Sequence, residues 1–181
     1  MKTYIIVGSI REGRVAIKVA HWILDQIQAL KHDHLDVEIV DLKEWDLPLF
    51  AGANAPASGI YDQPKQQEWA EKIHHGDAFI FISPEYNHGY SPALKNALDY
   101  LGKEWKGKPA AYVSYGGTFG SRSIDQIKQV CTYMEMIDSE AVLQIRDIFQ
   151  RNKTEDFVGN EFELNTLKSI VVKLMRYADF K

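Results

Sequence analysis

Two stretches carry residues that could do chemistry. The first is Glu85-Tyr86-Asn87-His88-Gly89-Tyr90-Ser91, an unbroken run of polar, aromatic and glycine residues. The second is Gly8-Ser9-Ile10-Arg11-Glu12-Gly13-Arg14. A flat ring could lie against Tyr86 while loop amides bond its polar edge. Ser9 offers a hydroxyl donor, and Arg11 and Arg14 offer full positive charges. Neither nucleophile nor paired carboxylates are evident, so binding a ring and an anion is the chemistry suggested. Each stretch also has a plain reading. The first could be an ordinary strand–helix connection, the second a turn with exposed arginines. Local chemistry leaves both open.

The flanking residues predict how these stretches are held. Asp77 to Ile82 is a continuous apolar run, as in a strand buried on both faces of a parallel sheet. Pro84 cannot donate to a ladder and holds Ser83 extended, so the strand is expected to stop there. Ser91-Pro92 then opens a helix, with Ser91 as N-cap and Pro92 at the first helical position. Leu94, Leu98 and Leu101 give that helix one buried face. Thr3 to Val7 reads as the first strand. Val15, Val19, Trp22, Ile23, Ile27 and Leu30 mark one face of the helix that follows. A strand, a glycine-bearing loop and a helix present backbone N–H groups and a positive helix end to an anion. The loop lacks Lys-Ser/Thr after its second glycine, and Gly-x-Gly-x-x-Gly is absent. Neither a P-loop nor a Rossmann dinucleotide site is therefore signalled.

Asp36 to Asp41 is expected to be the second strand. Leu42 to Lys65 is long and irregular, yet Trp45, Leu47, Leu49 and Phe50 are too apolar for a solvated loop; they suit packing on the sheet edge or on a partner subunit. Gln66 to His75 reads as a helix and Ala110 to Ser114 as the fourth strand. Tyr115-Gly116-Gly117-Thr118-Phe119-Gly120 is a glycine-rich turn, either allowing close approach of a ligand or supplying positive φ. Ile124, Ile127, Val130, Cys131 and Met134 face inward from the next helix. Ala141 to Ile145 is the fifth strand, Gln150 to Gly159 a loop, and Leu167, Ile170, Val171 and Leu174 mark a last helix. Five strands alternating with five helices specify a doubly wound α/β fold, expected as one domain over 1–181.

The chain has 181 residues, 45% of them apolar, with a net charge of −4 and no long basic run. This points away from nucleic acid and from a membrane surface. No apolar run is long enough to span a bilayer, and Met1-Lys2 leads into a strand without a cleavable signal pattern. Cys131 is the one cysteine, which excludes an internal disulfide and suits a buried structural thiol. A cytoplasmic setting is expected, and there Asn152-Lys153-Thr154 is irrelevant as a glycosylation sequon. No metal site is expected: His32-Asp33-His34 and His74-His75 lack converging ligands.

Pro84-Glu85-Tyr86-Asn87, followed by Leu94-Lys95-Asn96-Ala97-Leu98-Asp99, resembles the signature of the NADPH-dependent FMN reductases, which include quinone, azo-dye and chromate reductases. The resemblance implies a flavodoxin-like three-layer sandwich with a five-stranded parallel sheet of order 2-1-3-4-5. The loops after strands one and three would then meet at the topological switch point. It also implies bound FMN, NADPH or NADH as donor, and a homodimer or tetramer. Ser9 and Arg11 match the family's phosphate loop. Arg14 and Ala16 stand where a later polar pair belongs, and Arg14 is expected either to compensate by charge or to point to solvent. The implied cofactor-binding set is Ser9, Arg11, Arg14, Val15, Ala16, Pro84, Glu85, Tyr86, Asn87, Tyr115, Gly116 and Gly117. Backbone around Glu85, Tyr86 and Asn87 would meet the ring edge, and Tyr115-Gly116-Gly117 resembles the quinone-reductase-like branch. His88 stands where the family has a small residue or arginine; it would line the acceptor site or give a proton, or simply face solvent. The implied reaction is two-electron transfer to quinones or azo compounds by a ping-pong scheme. Two alternatives are a flavodoxin-type electron carrier and a flavin-binding regulatory protein without turnover.

Overall fold

The computed structural model describes residues 1–151 and 156–178. Five strands, β1 (Lys2–Val7), β2 (Asp36–Asp41), β3 (Ala78–Pro84), β4 (Pro109–Tyr115) and β5 (Ile137–Ile145), form one sheet in the order β2-β1-β3-β4-β5. All four pairings are parallel, as the resemblance implied. The helices are α1 (Ala16–Ala29), α2 (Leu42–Trp45), α3 (Pro64–His74), α4 (Pro92–Asp99), α5 (Ser121–Tyr133), α6 (Ile148–Arg151) and α7 (Glu161–Ala178).

Alternation along the strands feeds two cores. Ile5, Val7, Ile80, Ile82, Val113 and Leu143 meet Val19, Ile23 and Ile27 of α1 and Ile170, Val171 and Leu174 of α7. Tyr4, Ile6, Phe79, Phe81 and Tyr112 meet Trp69, Leu94, Leu98 and Ile127 on the other face. The buried indoles keep their donors satisfied: Trp69 Nε1 donates to Ala97 O at 2.9 Å and Trp105 Nε1 to Leu98 O at 3.2 Å. Cys131 is buried in this second core, and burial pushes its thiol up to about 12. It is thus protonated and shielded, as a structural thiol should be.

Several boundaries differ from the sequence reading. β3 continues through Pro84, which pairs in register with Tyr115. The ladder survives because the Glu85 N–H donates to Tyr115 O at 2.9 Å. β5 starts at Ile137, four residues early; its first half is polar because this is an edge strand with one side in solvent. The irregular 42–65 stretch contains α2, a 3-10 turn at Pro56–Ser58 and the first two residues of α3. Trp45, Leu47 and Phe50 pack on their own chain, whereas Leu49 is 85% exposed. Trp45 lies against Trp69 with ring centroids 4.9 Å apart, and Phe50 against Tyr100 at 5.3 Å. Asn96 holds the segment to α4, with Oδ1 accepting the Phe50 N–H at 2.9 Å and Nδ2 donating to Pro48 O at 2.8 Å. The loop expected over Gln150 to Gly159 includes α6's last turn, and 152–155, with the sequon's three residues, lie outside the described residues.

Candidate active site

The ends of β1, β3 and β4 are tied by serines before any ligand is considered. Ser91 occupies the N-cap position of α4 but makes no capping bond; its Oγ donates to Gly8 O at 2.5 Å instead. Its N–H donates to Ser83 Oγ at 2.9 Å, and Ser114 Oγ donates to Ser83 O at 2.6 Å. Gly8 N–H donates to Ile82 O at 2.8 Å. All three serines are buried, so these bonds are shielded from competing water. They fix the spacing between the loops that leave the sheet's carboxyl edge. The expected cap was displaced because a tertiary acceptor lay within reach of the same hydroxyl.

A cleft of about 240 Å³ opens between those loops, and Ser9, Arg11, Arg14, Val15, Pro84, Glu85, Tyr86, Tyr115 and Gly116 line it. Glu12, Gly13 and Phe149 complete the wall. The remaining expected residues stand elsewhere. Ala16 is fully buried, while Asn87 and Gly117 are exposed beside the opening. Burial chiefly raises the Tyr115 phenol well above its ordinary value, with Tyr86 adding to the effect, so Tyr115 stays neutral. Phe149 carried no sequence signal, because it follows the last strand on a one-turn helix. That turn is pinned by Arg151, whose Nη1 and Nη2 donate to Glu163 at 2.6 and 2.8 Å.

Arg14 neither points to solvent nor stands as a free charge. Its Nη2 pairs with Asp41 Oδ2, and its Nη1 donates to the Ser9 carbonyl at 3.3 Å. Arg14 therefore braces the first loop against the end of β2. Arg11 is the exposed cation of the loop, its guanidinium 5.5 Å from the Tyr86 ring centroid. Val15, at the N-cap of α1, has no capping side chain, which leaves a positive helix start unsatisfied by its own N-cap.

The second loop is a tight turn. Tyr86 and Gly89 exchange N–H···O bonds of 2.8 and 3.0 Å, and Asn87 and His88 sit at φ of +48° and +76°. Two consecutive positive φ values suit Asn in a mirror-image turn and strain His. Of the amides expected at a ring edge, Glu85 donates to Tyr115 O and Tyr86 to Gly89 O. Asn87 N–H alone has no partner among the described residues. The Glu85 side chain is 7% exposed and accepts from Thr118 Oγ1 at 2.8 Å and Arg122 Nη1 at 3.2 Å, so the second and third loops are tied together. His88 is exposed and absent from the cleft wall; its carbonyl accepts from Gln126 Nε2 at 3.0 Å.

Fold and cleft together define a doubly wound α/β protein whose cleft lies at the switch point of its sheet. The family model described as NADPH-dependent FMN reductase matches residues 1–148. An NAD(P)H-dependent FMN reductase of Schizosaccharomyces pombe is 39% identical over 137 residues, covering 75% of this chain and 68% of that protein. An NADPH:quinone oxidoreductase of Arabidopsis thaliana is 31% identical over 150 residues, covering 79% and 74%. Among solved structures, the flavoenzyme NAD(P)H:(acceptor) oxidoreductase FerB of Paracoccus denitrificans superposes with a TM-score of 0.75 at 22% identity, covering 98% of this chain and 97% of that one. The chain belongs to the NADPH-dependent FMN reductase family, and it is an FMN-dependent NAD(P)H oxidoreductase. Membership sets aside the carrier and regulatory alternatives that the residues alone left open.

Proposed function

We propose that the cleft holds FMN, with the phosphate against Ser9, Arg11 and the start of α1, and with the ring over Glu85–Asn87 and Gly116–Gly117. The observation that carries this reading is the convergence of three loops, far apart in sequence, on one cleft that brings hydroxyl, guanidinium and helix start together. The residues present fit the group. Ser9 and Arg11 are donors without acidic partners among their described contacts, whereas Glu12 is drawn off to Lys43 Nζ at 2.7 Å. The cleft is small for a whole flavin nucleotide. It suits the phosphate tail and leaves the ring at the surface, where a donor and an acceptor can reach it.

Bound FMN supplies two-electron hydride chemistry. The protein's residues orient and hold it. Asn87 N–H, which has no acceptor among the described residues, would bond the ring's polar edge, and Thr118 and Arg122 hold Glu85 in that loop. Donors directed there favour the electron-rich ring. We further infer that NADPH or NADH and a quinone or azo acceptor use one opening in turn. Parallel double-reciprocal lines of initial rate are then expected, and intersecting lines would contradict the shared opening. The homodimer of the sequence reading is supported by the 89% exposure of Tyr133 beside a groove of about 810 Å³ lined also by Lys103, Val130 and Met134. The experiment for the main reading is anaerobic addition of NADPH to FMN-loaded protein. Bleaching of the flavin, then recovery of colour on adding a quinone, is expected. Retained colour with both NADPH and NADH would overturn the reading.

A further inference from the structure

We propose that Arg146, laid over the exposed ring of Phe119, is a specificity-determining residue that takes a phosphate of the NAD(P)H donor. The inference rests on the reading that the flavin ring lies across the loops after β3 and β4.

β4 and β5 are neighbours, and Tyr115 pairs in register with Ile145. Gly116 and Arg146 therefore leave the sheet's carboxyl edge side by side. Gly116 lines the cleft, and its carbonyl accepts the Phe119 N–H at 3.1 Å. Phe119 is 39% exposed, and the Arg146 guanidinium lies 5.3 Å from its ring centroid. Farther along the connection that carries Arg146, Phe149 stands 74% exposed in the cleft wall. An apolar wall and a ring-bound cation thus border the loop on which the flavin ring is read to lie.

Two features mark the pair as more than ordinary surface. Phe119 sits at φ +58°, in the left-handed region that penalises a bulky side chain. Gly116, Gly117 and Gly120 fill other positions of the same loop, so a ring is kept where the backbone favours glycine. The second feature is charge. Arg14 is paired with Asp41, Arg122 with Glu85 and Arg151 with Glu163. Arg146 is exposed and forms no ion pair among the described residues, even with Asp147 beside it in the chain. Its main chain is held, because its carbonyl accepts from Arg151 Nη1 at 3.1 Å. Contact with a ring face occupies none of the guanidinium's five donors, which stay available to an oxyanion. Arg11 also lacks a carboxylate, but the proposed FMN phosphate claims it. Of the two substrates, the donor always carries phosphates, whereas a simple quinone is uncharged. The fitting group is therefore a donor phosphate, either the pyrophosphate shared by NADH and NADPH or the 2′-phosphate of NADPH.

The test uses FMN-loaded wild type, Arg146→Ala, Arg146→Lys and Phe119→Gly. Calorimetry gives Kd values for NADP⁺ and NAD⁺. Anaerobic bleaching of the flavin by NADPH and NADH gives a half-saturating donor concentration and a limiting rate. Arg146→Ala is expected to weaken NADP⁺ roughly 10-fold and to raise the half-saturating NADPH concentration in step. The limiting rate and the KM for an uncharged quinone are expected to stay unchanged. An equal loss for NAD⁺ and NADH assigns the pyrophosphate; a loss confined to NADP⁺ and NADPH assigns the 2′-phosphate. Arg146→Lys should recover part of the loss, since it restores the charge without the fork. Phe119→Gly relieves the positive φ, so it is expected to keep the thermal midpoint and still weaken the donor; unchanged donor affinity there would overturn the role of the ring. Unchanged donor affinity in Arg146→Ala, with bleaching intact, would overturn the inference and leave the placement of the flavin standing. A loss shared by the uncharged quinone would also overturn it, as the mark of a distorted opening. If wild type keeps its colour with both donors, the flavin reading fails and takes the inference with it.

Discussion

Asp41→Ala is expected to lower the free energy of unfolding by about 3–5 kcal/mol, because it strands the Arg14 guanidinium in a nearly closed site. The Arg14 and Asp41 side chains are 11% and 5% exposed, so little water is available to replace the lost carboxylate. The same carboxylate accepts the Lys43 N–H at 3.0 Å as the cap of α2, a role whose loss costs about 1 kcal/mol. For a domain whose total stability is of order 5–15 kcal/mol, this is a large share. Urea unfolding of the cofactor-free protein measures it. The double replacement of Asp41 by Ala and Arg14 by Met should recover much of the loss, since no unpaired charge is then buried. A single-mutant effect below about 1 kcal/mol would mean the pair is effectively solvated. FMN affinity should also fall in Asp41→Ala, because Arg14 bonds the Ser9 carbonyl and steadies the loop.

Gly120→Ala is expected to cost about 3 kcal/mol or more through overpacking and positive φ together. Gly120 starts α5 at φ +76°, and a Cβ there would stand 2.0 Å from Ser114 Oγ and 2.6 Å from Tyr115 N. Ser114 cannot simply turn aside, since its Oγ donates to Ser83 O and is part of the serine ties under the cleft. The strain therefore passes to the end of β4, where Tyr115 and Gly116 line the site. Gly13→Ala is the matched control. Gly13 is also at positive φ, +62°, but nothing lies within 4 Å of the added carbon. Its cost should be about 1 kcal/mol, from backbone conformation alone. Equal losses in the two variants, read from urea unfolding, would contradict the steric argument.

Sequence legibility followed the range of the interactions. The five strands and the main helices were readable because apolar periodicity is local, and Phe79 to Ile82 or Leu94 to Leu98 carry their own pattern. The strand order entered through the resemblance, since periodicity does not specify which strands are neighbours. β5 was shortened because its polar half belongs to an edge. What escaped reading depends on partners far along the chain. Arg14 looked like a free charge because Asp41 is twenty-seven positions away, and Ser91 looked like a cap because Gly8 O is eighty-three positions away. Tyr86 was given to the ring because its loop was; only the folded chain turns its hydroxyl to Ser9. Phe149 reached the cleft from a four-residue helix that no periodicity could reveal.

The most direct test of the account is a crystal structure of the protein with FMN bound. Density for the phosphate is expected at Ser9, Arg11 and the start of α1, and density for the ring across the loops after β3 and β4. Phosphate density instead in the wide groove beside Tyr133 and Lys103 would contradict it.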